Sequence, residues 1–413
     1  MAWTRPATSL GNTPSIFQAK LAQGNLSLPP MAMPMPPPLG HEDTERCFVD
    51  LEKGGNGMWD EVSRDRPLGE TWMAGVKDNV EVSALTIPGT HDSCAYTSAW
   101  PFIQTQKMDI MTQLNAGIRY FDLRCGLRND ELEMVHGTAL LGLTLHIVLD
   151  TMYLWLLSHK SEALVVQLKQ DRGPEKSTVH FAHAVWKCIS QSPVRWRTAN
   201  TNPKLGELRG RIQLLRRFTG PTLDAYGIDV TQWPDNSLKP FTIQTRHNVQ
   251  VTIQDHYNFS EPQGLPAVVA QKGRDVVNLL NYAAANTEKD HWFINFTSAY
   301  EFNLWYQLTP KEIAVGGWWG FKWEAGMNAR LRGYLTQQTE IRRYGIVTMD
   351  FPESGADGLI EALVRLNFKQ KPRSLGSFWL IVSMAMFVVL LLAALMLLLH
   401  LCRESICTFH GQL

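Results

Sequence analysis

The chain has 413 residues, enough for roughly two or three average domains or for one large (β/α) barrel with appendages. Lys and Arg (39) balance Asp and Glu (39), so no global basic field argues for nucleic acid as a partner. Its 6 cysteines (Cys47, Cys94, Cys125, Cys188, Cys402, Cys407) form neither a CxxC pair nor a metal-type cluster, and a barrel of this size needs no disulfide framework.

Residues 1–45 are rich in Pro, Ser, Ala and Met, without periodicity or a continuous apolar stretch, which predicts a disordered arm and no secretory signal. From 46 to 370 short apolar runs alternate with helical stretches. Strands are expected at 84–87, 120–123, 133–135, 163–168, 212–215, 251–253, 292–295 and 346–349, and helices at 145–158, 179–190 and 267–287. That alternation predicts an α/β fold, a TIM-type (β/α) barrel of parallel strands. Gly316-Gly317-Trp318-Trp319-Gly320 reads as a loop whose tryptophans suit either a bilayer interface or ordinary packing. Residues 378–401 are an almost unbroken apolar run, long enough at about 1.5 Å per residue to cross a hydrocarbon core. A transmembrane helix is therefore expected over 376–402, with a polar tail over 403–413. Lys369, Lys371 and Arg373 precede the run and only Arg403 follows closely, so the positive-inside bias places the barrel on the cytosolic side. A glycolipid-anchor signal fits less well, because the chain continues past the apolar run.

Two histidines carry the chemistry. His91 lies in Leu85-Thr86-Ile87-Pro88-Gly89-Thr90-His91-Asp92-Ser93 and His136 in Met134-Val135-His136-Gly137, with Tyr120-Phe121-Asp122-Leu123-Arg124 between them. Each His-bearing run is apolar, has β-branched members and stops at a polar residue beside Gly, as does the carboxyl end of a buried parallel strand. A lone histidine is more often a surface or core residue. Here His91, Asp92, Asp122, Arg124 and His136 would share one mouth. That set suits in-line attack on a phosphodiester: one imidazole removes a proton, the other returns one, and a guanidinium holds the anionic phosphate.

The stretch from Ile87 to Ser93, with Phe121 to Arg124 and His136-Gly137, resembles the X domain of the phosphatidylinositol-specific phospholipases C, in particular the single-domain, bacterial-type enzymes. The likeness runs in order through Glu162 to Lys169, Arg216-Arg217, Trp233 to Asn236, Val251 to Tyr257, Ile294 to Ala299 and Gly345 to Phe351, and covers roughly residues 70–368. The resemblance implies cleavage of phosphatidylinositol, a lipid met in a bilayer, by attack of the inositol 2-hydroxyl on phosphorus. It makes His91 the base, supported by Asp350, and His136 the acid, supported by Asp92, with Asp122 behind them. It assigns Lys169, Arg217, Asp255 and Tyr257 to the inositol pocket, with Arg216 as an alternative to Arg217. Arg124 stands where animal relatives bind Ca²⁺, so no cofactor or metal is expected. Gln167 and Gln170, beside Lys169, and residues 300–333 depart from the family pattern and leave the head group open. A glycosylated inositol lipid is one alternative substrate. A glycerophosphodiester phosphodiesterase would show an early Glu-Asn-Thr metal cluster, which is absent, and a non-catalytic lipid-binding protein would lack one of His91, Arg124, His136 or Asp350.

Overall fold

Period-two alternation inside short apolar runs dictates the centre of the molecule. In the computed structural model, which describes residues 61–62, 69–220, 226–259, 263–303, 306–338, 340–370, 386–387, 390–392 and 396, seven strands form the core. They are β1 (Thr86–Thr90), β2 (Tyr120–Arg128), β3 (Leu164–Glu175), β4 (Ile212–Arg217), β5 (Gln250–Gln254), β6 (His291–Phe296) and β7 (Gly345–Met349). Their lateral order is β5-β6-β7-β1-β2-β3-β4, and every neighbouring pair is parallel. Phe241–Gln244 extends the sheet antiparallel to β5, while Trp196–Arg197 and Ile228–Asp229 pair parallel with β4. No ladder among the described residues joins Ile228–Asp229 to Phe241–Gln244, so the barrel is open along that seam.

Alternate residues on each strand serve two cores. Ile87, Tyr120, Val165, Leu215, Val251, Ile253, Trp292, Ile294 and Ile346 fill the interior, and the seam is plugged by Ile228, Val230 and Trp233. Phe121, Leu123, Val166, Leu168, Leu214, Val347 and Met349 point outward to the helices α1 (Ile110–Ala116), α2 (Leu145–Ser158), α3 (Phe181–Ser190), α4 (Leu265–Ala285), α5 (Met327–Thr336) and α6 (Leu359–Arg365). Both sets avoid water, which is why the strands read as continuous apolar runs rather than as alternating ones. The amino-terminal floor is closed by the chain's return: Asn367 bonds both the N–H and the carbonyl of Thr86, and Lys369–Gln370 pairs with Glu61–Val62.

Three expectations are corrected. The first strand starts and ends later than 84–87, because Val82–Ala84 forms a 3-10 turn and the strand continues through Pro88 and Gly89. Pro-Gly signals a turn in sequence, but a Cβ on residue 89 would stand 2.7 Å from the Tyr120 ring, so glycine is needed for β1 to approach β2. The run at 133–135 is not a barrel strand. It belongs to Glu131–His136, antiparallel to β2, which with Ala139–Thr144 forms a meander over the mouth. Residues 316–320 are not a loop but half of a hairpin, Gly316–Trp319 with Lys322–Ala325, pinned by the cross-strand pair Trp318 and Trp323. The arm 1–45 and most of the apolar run 378–401 lie outside the described residues, and among the described residues no helix is long and apolar enough to cross a membrane.

Candidate active site

Strand register assembles the mouth. Thr90 on β1 lies beside Met349 on β7, so the next residues, His91 and Asp350, emerge side by side. Arg124 on β2 pairs with Lys169 on β3, and Lys169 with Arg217 on β4, which lines up three cations across three strands. Beneath them Tyr120 is fully buried and donates to Gln167 Oε1 at 3.1 Å, sealing the mouth from the apolar floor.

His91 lies between two carboxylates. Its Nδ1 is 2.8 Å from Asp350 Oδ1, its Nε2 is 3.4 Å from Asp92 Oδ2, and its ring stands edge-on to Phe296 at 5.9 Å. The Gln106 amide staples the strand ends together by donating to the carbonyls of His91 (2.8 Å) and Met349 (2.9 Å). Asp92 has a left-handed backbone (φ +40°), an uncommon state for a residue with a side chain, and its N–H donates to Asp122 Oδ2 at 3.2 Å. His136 comes from the antiparallel meander and reaches the same carboxylate, with Nε2 3.4 Å from Asp92 Oδ2. Its Nδ1 lies 2.8 Å from the Ile103 carbonyl oxygen, an acceptor only, so Nδ1 carries a proton. The two imidazole rings are 6.3 Å apart and nearly perpendicular.

Arg124 closes the set. Its Nη1 is 2.9 Å from Asp92 Oδ2, while Nη2 (2.9 Å) and Nε (3.1 Å) bond Asp122 Oδ2. Asp122 Oδ1 accepts from Gln167. Asp92 Oδ2 is thus close to three cationic or titratable groups, yet it makes no aligned hydrogen bond with any of them. Burial, and next the Arg124 charge, hold the His91 imidazole well below its usual range, which keeps it neutral at physiological pH. Burial pushes Asp92 up to about 6, with Arg124 and His136 opposing. Asp350 is also driven up, by burial and then by Asp92. Burial works against the charge of Arg124, but Asp122 and Asp92 outweigh it and hold the guanidinium protonated. One oxygen or nitrogen each from His91, Asp92 and Asp122 lies within 4.8 Å of the others, so the donors themselves could surround a cation. The Arg124 guanidinium already occupies the space against both carboxylates.

A second wall lies beside this cluster. The Arg217 guanidinium stacks 4.0 Å over Trp233, with Nη2 3.8 Å from Asp255 Oδ2, and the Trp233 indole donates to the same oxygen at 2.9 Å. Arg216 points outward to Asp229, which excludes it from the pocket. Tyr257 donates to Asp235 Oδ1 at 2.7 Å, and Asn236 Oδ1 accepts from the N–H groups of Tyr257 and Asn258. Lys169 is paired with Asp171, whose other oxygen accepts from Gly137 N–H at 2.9 Å. Sequence reasoning missed Asp171 altogether, and it treated Gln167 only as a departure from pattern. The signal was there: Gln167, Lys169 and Asp171 alternate along β3, so an inward lysine carries the other two inward with it.

The phosphatidylinositol-specific phospholipase C X domain matches residues 85–218. A 1-phosphatidylinositol phosphodiesterase of Staphylococcus aureus (strain Newman) is 30% identical over 245 residues, which cover 55% of this chain and 75% of that one. This chain belongs to the phosphatidylinositol-specific phospholipase C family. Its Listeria monocytogenes relative, also a 1-phosphatidylinositol phosphodiesterase, is 28% identical over 327 residues, covering 74% of this chain and 90% of that one. The solved phosphatidylinositol-specific phospholipase C of L. monocytogenes aligns with a TM-score of 0.52 at 26% identity, over 72% of this chain and 98% of that one. An S. aureus family member aligns with a TM-score of 0.62 at 24% identity, over 75% of this chain and 100% of that one, and shares the fold.

Proposed function

We propose that the chain cleaves phosphatidylinositol to diacylglycerol and a cyclic inositol phosphate without a metal ion. The observation that carries this is the pair of imidazoles 6.3 Å apart, astride one carboxylate and one guanidinium. His91, held neutral, takes the proton of the inositol 2-hydroxyl, and that oxygen attacks phosphorus. His136 gives its proton to the diacylglycerol oxygen as the phosphorus–oxygen bond to it breaks. Arg124 bears on the phosphate oxygens as charge builds there, which is the service a bound cation would otherwise perform. Asp350 orients the His91 imidazole and the Ile103 carbonyl that of His136, the Asp92 carboxylate lies between their Nε2 atoms, and Asp122 holds Arg124 and the Asp92 backbone.

Lys169, Arg217, Asp255 and Tyr257 would meet the inositol hydroxyls. Both cations there already face a carboxylate, Asp171 or Asp255, which favours a neutral inositol ring over one carrying further phosphates. The rim supports a substrate drawn from a bilayer. Trp100, Phe302, Trp318, Phe321 and Trp323 are all exposed on segments that follow β1 and β6 at the mouth end. The apolar run 378–401 favours a membrane tether for the same domain, with the barrel cytosolic, and protease protection on intact microsomes tests that topology. For the reaction, the purified chain should release diacylglycerol and cyclic inositol phosphate from phosphatidylinositol in EGTA. It should act more weakly on phosphorylated and glycosylated inositol lipids. Activity that disappears in EGTA and returns with Ca²⁺ would show that Arg124 does not do the work of a cation.

A further inference from the structure

The longest described helix, α4, packs against β5 and β6, and its buried face includes a lysine among Val268, Val269, Val276 and Leu279. Lys272 is fully buried, and no step of the mechanism above uses it. Its ammonium donates to Gln254 Oε1 at 3.1 Å and to the His256 carbonyl oxygen at 2.5 Å, the residues on either side of Asp255. The surrounding network is closed. Gln254 Nε2 donates to Asn295 Oδ1 (2.9 Å) and to the Phe296 carbonyl (2.8 Å), and Gln254 Oε1 also accepts from His256 N–H (2.9 Å). His256 Nδ1 lies 3.1 Å from Asp275 Oδ2, one helical turn from Lys272.

A buried ammonium is costly, and a straight apolar side chain would fill the same tunnel. Burial pulls Lys272 down to about 8, and the carboxylates of Asp255, Asp275 and Asp350 are what keep it from falling further. The exchange is mutual: burial drives the Asp255 carboxyl up, and Arg217 and then Lys272 bring it back toward its ionised form.

We infer that Lys272 is a positioning residue for substrate, pinning both neighbours of Asp255 and holding that carboxylate against Arg217 and Trp233. This rests on the reading of the mouth as an inositol site. Lys272 bonds the inositol wall directly, and its charge reaches His91 and Asp350 only as a lesser influence behind burial and Arg124, so its loss weakens binding more than chemistry.

The test uses the full chain, with Lys272→Met and Lys272→Gln, on monomeric short-chain phosphatidylinositol, alongside thermal melts with and without myo-inositol. Lys272→Met should raise KM about tenfold with kcat changed less than about threefold, and should lose most of the inositol-induced rise in Tm. Lys272→Gln keeps a donor without the charge and should recover part of the KM. An unchanged KM, or a fall in kcat with KM preserved, overturns the inference, as do two variants that fail to fold. Wild-type protein that neither cleaves the lipid nor gains Tm from inositol overturns the functional reading itself. Active wild type with kinetically identical variants overturns Lys272 alone.

Discussion

Arg119, fully buried, and Arg124, partly buried, lie at opposite ends of one stretch of chain, yet the two sites are built to opposite ends. At the floor every donor of Arg119 is used: the Glu162 carboxylate takes Nε (3.0 Å) and Nη2 (2.8 Å), the backbone carbonyls of Leu114 and Ile118 take Nη1 (2.8 Å each), and that of Glu70 takes Nη2 (2.7 Å). The Trp155 and Trp72 ring centroids lie 4.6 and 5.9 Å from its Cζ. At the mouth Arg124 faces two carboxylates, and Asp92 Oδ2 beside it is left without an aligned hydrogen bond. A saturated buried charge holds a fold together. An unsaturated one keeps bonding capacity in reserve for a ligand.

The largest effect should come at the mouth. Arg124→Lys keeps the charge but not the fork that spans Asp92 and Asp122, and should lower kcat about 10³-fold, with Tm within a few degrees of wild type. A matching loss of Tm would make the mouth arginine as structural as its floor counterpart. His91→Ala and His136→Ala should each reduce turnover by roughly 10²–10⁴ with unchanged circular dichroism. A near-normal rate in either removes that residue from the mechanism. At the floor the signs reverse: Arg119→Met should cost about 3–5 kcal/mol by denaturant titration, because Glu162 is left buried and unpaired. Adding Glu162→Gln should restore much of that loss, and if it does not, the tryptophan stacking is what Arg119 supplies.

The smallest effect is in pH. Because the folded-state pKa of Asp92 is raised from 3.8 to about 6, the folded protein binds that proton more tightly than the unfolded chain. Its contribution to stability is fully present below 3.8 and is lost as pH rises through about 6. Asp92→Asn should therefore flatten the stability profile across that window and leave the protein slightly more stable at neutral pH, while abolishing activity at every pH. A variant less stable at neutral pH would mean that the Arg124 pair outweighs the burial of Asp92.

The barrel and most of its mouth are legible in the sequence, because β1 and β7 end where apolar runs meet His91 and Asp350, and the apolar start of β2 runs into Arg124. The origin of His136 is not. Met134-Val135 is apolar enough to pass for a barrel strand, and only its pairing shows that it folds back antiparallel from β2. Register is invisible too, so Arg216 and Arg217 are indistinguishable until pairing with Lys169 turns Arg217 inward. Lys272 is hidden for another reason: a lysine on an amphipathic helix reads as a solvent-facing residue, and only packing reveals one turned inward.

The return of the chain to the floor has a geometric consequence. Asn367 grips Thr86 at the start of β1, whereas His91 stands just past its other end, so the polypeptide leaves the barrel on the side opposite the chemistry. The base therefore carries both chain-closing contacts, the Asn367 clasp on Thr86 and the ladder of Lys369–Gln370 with Glu61–Val62, and the face that meets substrate carries neither.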